Sequence, residues 1–81
     1  MRMSDYLIIN DNPKDANHGT VLISGATPLD AINRFDRMLR ENKKQYVSHV
    51  FEDALKEWTF TVHGLDKDSI GFSQYIMVVK E

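Results

Sequence analysis

The chain has 81 residues, no cysteine, a formal net charge of −2 and an estimated pI of 5.9. A chain this short makes one domain spanning 1–81 with one small core, and its 42% hydrophobic content supplies that core without staples. The missing thiols exclude a disulfide scaffold, a Cys-type zinc finger and a thiol nucleophile, and the mild negative charge offers polyanions and membranes no general attraction.

Residues 6–10 (Tyr-Leu-Ile-Ile-Asn) form a short apolar run and read as a first strand. No signal-peptide pattern precedes them, and no apolar run approaches the ~20 residues of a membrane span. The expectation is a complete, cytoplasmic chain. Residues 11–19, rich in Asn, Asp, Pro and Gly, read as a loop. Residues 20–24 (Thr-Val-Leu-Ile-Ser) read as a second strand, paired antiparallel with the first.

The strongest signal lies over 28–42. Thr27 suits an N-cap, Pro28 the first helical position and Asp30 the positive end of the helix dipole. Ala31, Ile32, Phe35, Met38 and Leu39 make one apolar stripe at helical spacing. Asp30 with Arg34, and Asp36 with Arg40, are acid-before-base pairs four apart on the outer surface. Asn42 and the Lys43-Lys44 pair suit the C-terminus.

Residues 45–52 are β-rich in type and read as a third strand. Phe51, Ala54, Leu55 and Trp58 also sit at helical spacing, so a short second helix over 48–57 is the rival reading. From Trp58 to His63, apolar Trp58, Phe60 and Val62 alternate with Thr59, Thr61 and His63, as on a strand with one wet face. A polar turn over 64–69 leads to a last strand over 72–80. The order β-β-α-β-β-β predicts an α+β domain, one helix packed on a mainly antiparallel sheet of four to five strands.

Chemistry-bearing motifs are sparse. His18, His49 and His63 show no metal-ligand spacing. His49 and His63 can meet on adjacent strands, but nothing nominates a third ligand. The run from Asp66 to Gly71 resembles the start of a calcium loop, yet its fifth and twelfth positions would be Ile70 and Met77, which carry no oxygen ligand. Asp66 and Asp68 therefore read as an acidic solvated turn. No serine sits in a nucleophile motif and no Gly-rich phosphate loop is present. The expectation is a protein without catalysis, cofactor or metal. Arg34, Arg37, Arg40, Lys43 and Lys44 concentrate positive charge, diluted by Asp30, Asp36 and Glu41. They offer a small nucleic-acid regulator as the second reading, and a small enzyme or ligand-binding module is the third.

The most informative feature concerns faces. One helix of about four turns covers one face of a small sheet, yet Leu7-Ile8-Ile9 and Ile76-Met77-Val78-Val79 are apolar on both faces. Such strands are ordinarily covered twice, so a loop, a second copy or another protein must cover the second face, and a protein partner is the leading reading. On the last strand, Phe72, Ile76 and Val78, with Gln74 among them, are expected to face the helix. Tyr75, Met77 and Val79 are then expected to bind the partner. The Arg37 and Arg40 surface and the acidic turn at Asp66 and Asp68 come next.

In layout the chain resembles small phage-encoded inhibitors of host defence, above all some short anti-CRISPR proteins, including ones directed at type I systems. The points of likeness are Tyr6-Leu7-Ile8 near the N-terminus, the early polar loop and the helix containing Ala31 after the second strand, then the strand from Gly71-Phe72 to Met77-Val78. The resemblance covers most of the chain in layout alone and carries over no functional residue. It implies a non-catalytic protein that blocks a subunit of a host defence complex in the host cytoplasm.

Overall fold

Strand β1 (Ser4–Asn10) and strand β2 (Gly19–Gly25) pair antiparallel in unbroken register, from Ser4 opposite Gly25 to Asn10 opposite Gly19. The computed structural model describes residues 2–66 and 71–80. Helix α1 (Pro28–Asn42) follows, then β3 (Gln45–Glu52), β4 (Trp58–Gly64) and β5 (Phe72–Val79). The sheet has five strands in the order β2-β1-β5-β4-β3, and every neighbouring pair is antiparallel. The expected α+β plan with one helix on an antiparallel sheet is the observed one.

The helix starts where its sequence says it should. The Thr27 hydroxyl accepts from the Asp30 N–H at 3.0 Å, and the Asp30 carboxylate accepts from the Ala26 N–H at 2.8 Å. The first bond satisfies a donor that the first turn leaves free, and the second ties the carboxylate to the residue ahead of the cap. The second one, ahead of Arg34, holds the Asp30 carboxyl below its ordinary pKa. The C-cap is Lys43, whose N–H reaches the Leu39 carbonyl at 2.9 Å, and Lys44 takes a left-handed φ of 51° to turn the chain into β3. The cap falls one residue past Asn42.

Ala31, Ile32, Phe35 and Leu39 are buried, while Met38 lies at the margin of the stripe. The helix backbone runs closest to the two outer strands, β2 and β3. Phe35 descends onto the central strands. Its ring meets Phe60 at 5.8 Å and stands edge-on to Tyr75 at 5.6 Å, and Phe60 stacks on Tyr75. Tyr6, Ile8, Val62 and Met77 complete the core below the helix. Gly25 lets the end of β2 pass against the helix backbone: a Cβ there would lie 2.6 Å from the Ala31 nitrogen.

The face assignment on β5 is the reverse of the expectation. Ile8 pairs with Met77 and Phe60 with Tyr75, and paired residues share a face. Tyr75 and Met77 therefore point at the helix with Ser73 and are 5% and 0% exposed. Phe72, Gln74, Ile76 and Val78 point away. Phe72 supplies no core bulk because it pairs with His63, on the side opposite Val62 and Phe60. Gln74 was the truer sign of the wet face.

Region 45–57 is strand, turn and strand, with no second helix. Asp53 builds the turn: its carboxylate accepts from the Leu55 and Glu57 N–H groups, and Lys56 adopts φ 65°. Ahead of it, β3 carries a bulge. Ser48 pairs with Thr61 and Phe51 with Thr59, so His49 and Val50 together oppose Phe60, and His49 sits at φ 55°. The extra residue shifts parity and moves Phe51 off the helix side.

The loop between β1 and β2 closes the core on the helix side of the sheet. Buried Asn10 donates to Asp15 at 3.1 Å, and the Asn17 N–H donates to the same carboxylate at 2.9 Å. The Asn17 amide reaches the buried Ser73 hydroxyl at 3.3 Å. The Asn17 N–H, then the Ser73 and Asn10 side chains, hold the Asp15 carboxyl below its ordinary pKa. Burial, partly offset by Asn10, pushes the Tyr75 phenol up.

Two outcomes follow from this packing. Gly25→Ala forces a Cβ into backbone that cannot yield, and should cost about 1–3 kcal/mol, read as a lower denaturation midpoint. Asp15 has a depressed folded pKa, so its stabilisation is present above the ordinary value of 3.8 and is lost as pH falls through the folded one. Asp15→Asn should therefore be less stable than the parent near neutral pH, and the gap should close in strong acid. A constant gap across the titration would show that the Asp15 charge contributes nothing.

Candidate functional site: the uncovered sheet face

The register arranges the second face of the sheet in rows. Leu22, Leu7 and Val78 form one row across β2, β1 and β5. Ile9, Ile76, Thr59 and Phe51 form the next, across β1, β5, β4 and β3. Gln74, Thr61 and Ser48 follow, then Phe72, His63 and Tyr46. No described element packs over these rows, since α1 and residues 14–18 of the loop lie on the other side.

Several large apolar side chains on this face are open to solvent: Phe72 is 63% exposed, Phe51 62%, Leu22 54% and Ile76 39%. The four rows contain no charged side chain. Charge sits at the ends, where Asp5 accepts from Ser24 at 2.8 Å and Asp11 borders a shallow groove of about 530 Å³ lined by Ile9, His49, Thr61 and Ile76. Thr59, Thr61 and Gln74 supply neutral hydrogen-bonding groups between the apolar ends. Chemically the face can bury apolar area and exchange neutral hydrogen bonds.

The aromatic end holds the two histidines together, as the strand pairing allowed. The His49 and His63 rings lie 5.8 Å apart, Tyr46 stacks on His63 at 5.2 Å, and Phe72 lies 6.2 Å from it. The His49 ring nitrogen and the Ser48 hydroxyl are 2.7 Å apart. His63 Nε2 is buried without a hydrogen-bond partner. Among the described residues no group of three His, Asp or Glu side chains is placed to hold a metal. His18 lies apart, in the 11–18 loop, with its ring nitrogen at the Asp15 carbonyl.

The other residues expected at a partner surface are dispersed. Tyr75 and Met77 are core and cannot touch a partner. Val79 is exposed but pairs with Tyr6 at the end of the helix-side face. Arg37 is exposed on α1, while Arg40 is engaged by Asp36 at 2.9 Å and lies over the Tyr46 ring. Arg34 pairs with Asp30 at 3.3 Å. Asp36 also accepts from the Val47 N–H, so it ties helix to strand. These bonds make the helix surface a mixed-charge solvated face rather than a basic stripe. Asp66 is exposed at the end of the β4 turn, and Asp68 lies outside the described residues.

Sequence reasoning missed Leu22, Phe51, Phe72 and Ile76 as surface residues. Gln74 could have placed Phe72 and Ile76, and Leu22 follows from Val21 and Ile23 facing the core. Phe51 depends on the bulge, which has no such signal. Among the described residues, no helix is long and apolar enough to cross a membrane. No protein-family model, curated protein or solved structure matches the chain.

Proposed function

We propose that this is a non-catalytic binding protein that acts by laying the open face of its sheet on a protein partner. One observation carries the reading: the middle of the open sheet face, four rows free of charge, leaves Phe51, Phe72, Leu22 and Ile76 open to water. Exposed apolar patches of this kind mark interaction sites, and neutral Thr and Gln groups set among apolar anchors match the depletion of charge at interface centres. The resemblance to phage-encoded inhibitors supplies the partner class: a protein subunit of a bacterial defence complex, blocked sterically in the host cytoplasm. The paired arginines of α1 give a nucleic-acid partner less support.

The test is capture from a bacterial lysate with identification of the bound protein, run in parallel with variants. Phe72→Ser with Ile76→Ser should leave the far-UV spectrum and the melt cooperative while reducing capture at least tenfold. Met77→Ser, which cuts into the core, should instead destabilise the fold by about 2–5 kcal/mol, as large-to-small core changes do. Undiminished capture by a folded Phe72 and Ile76 double variant would move the interface off this face.

A further inference from the structure

The two edges of the sheet are treated differently. The edge at β3 is defended three ways: the bulge at His49 and Val50 breaks its regularity, Asp36 occupies the Val47 N–H, and Glu52 places a charge at its end. The edge at β2 has none of these devices. Its seven residues, Gly-Thr-Val-Leu-Ile-Ser-Gly, contain no charge and no proline, and their register with β1 is unbroken. Among the described residues, no backbone hydrogen bond runs from residues 20–24 to anything except β1. One side of this ladder is therefore unpaired, which is a ready template for another strand.

We infer that β2 is a dimerisation edge, and that its occupant is β2 of a second copy of this chain, antiparallel across a two-fold axis at Leu22. The strand is self-complementary about that point. Such pairing sets Leu22 beside its own counterpart, Val21 opposite Ile23 and Thr20 opposite Ser24. Apolar meets β-branched apolar on the helix side, and hydroxyl meets hydroxyl on the open side, both favourable cross-strand pairs. Gly19 meets Gly25, so no side chain of the second copy crowds the tight approach of Gly25 to Ala31. An isologous two-fold contact is the commonest closed assembly, and it joins five strands from each copy into one continuous sheet. The two open faces then lie side by side and remain uncovered, so this inference stands independently of the partner reading.

The test is sedimentation equilibrium of the full chain over a concentration series. The parent should approach twice its 9.4 kDa mass. Thr20→Lys with Ser24→Lys sets like charges opposite each other at both outer pairs and should sediment as monomer with an unchanged spectrum. Thr20→Glu with Ser24→Lys sets opposite charges there, keeps a cation beside Asp5, and should restore the dimer. Phe72→Ser with Ile76→Ser, on the open face, should leave the dimer intact. A monomeric parent at its highest soluble concentration overturns the inference. So does a dimer that survives the like-charge pair, or one that dissociates on changing Phe72 and Ile76, which would put the contact on the sheet face. Amide exchange of the parent gives a check that needs no variant: outward N–H groups of β2 should gain protection as concentration rises, and protection independent of concentration would also overturn it.

Discussion

The contact on which the structure depends is the Phe35 ring set against Phe60 and Tyr75. It is where the single helix reaches the two strands that join the halves of the sheet. A domain of this size has a stability of only about 5–15 kcal/mol, and removing a buried Phe costs about 3–5 of that. The rings also fix register. Phe60 stacks on Tyr75, which holds β4 and β5 in step, and Met77 two residues on then meets Ile8. The helix can seal only the face that Phe35 enters. That limit leaves the other face open, with half-buried Leu7, Ile9 and Val78 as well as the exposed side chains.

Much of this was legible in the chain. Helix α1 announces itself through cap, proline, stripe and ion pairs, each a local signal that needs no tertiary context. Strand β4 shows its two faces in strict alternation. The apolar character of both faces of β1 and β5 pointed to an uncovered side, and the structure has one. The facing of β5 was less legible because Ser73, a small polar residue, sits on the buried side. Its place there depends on Asn17, 56 residues away in sequence. Aromatic bulk at Phe72 argued the opposite way and lost to register, which passes from Ile8 and Phe60 to the strand between them.

The bulge in β3 was hidden for another reason. A bulge changes parity without changing composition, and His49 carries no glycine-like signature for its positive φ. Its consequence reaches the open face. Were the same residues paired without a bulge, Phe51 would continue the Val47 side of the strand, toward the helix. With it, Phe51 joins Thr59 and Ile76 on the open face, and the same bulge interrupts the β3 edge. One local irregularity thus adds apolar area to the open face and interrupts one of the two sheet edges. Among the described strands, β2 alone then keeps a regular free ladder.

The 11–18 loop settles which face of the sheet stays bare. It is long enough to fold over either side, and its apolar content does not choose. The choice is made by polar bonds: Asn10 and Ser73 point to the helix side of their strands, and the Asp15 carboxylate and Asn17 amide follow them there. Burying Asn10 and Ser73 without those partners would cost about 1–3 kcal/mol for each unsatisfied group, and this fixes the side of the sheet on which the loop lies. Among the described residues of the open face one polar atom remains unanswered. His63 Nε2 is shut away among Tyr46, His49 and Phe72 with no partner of its own. Buried polar groups are rarely left so. Any group that answered it from outside would first have to part the rings that close over it.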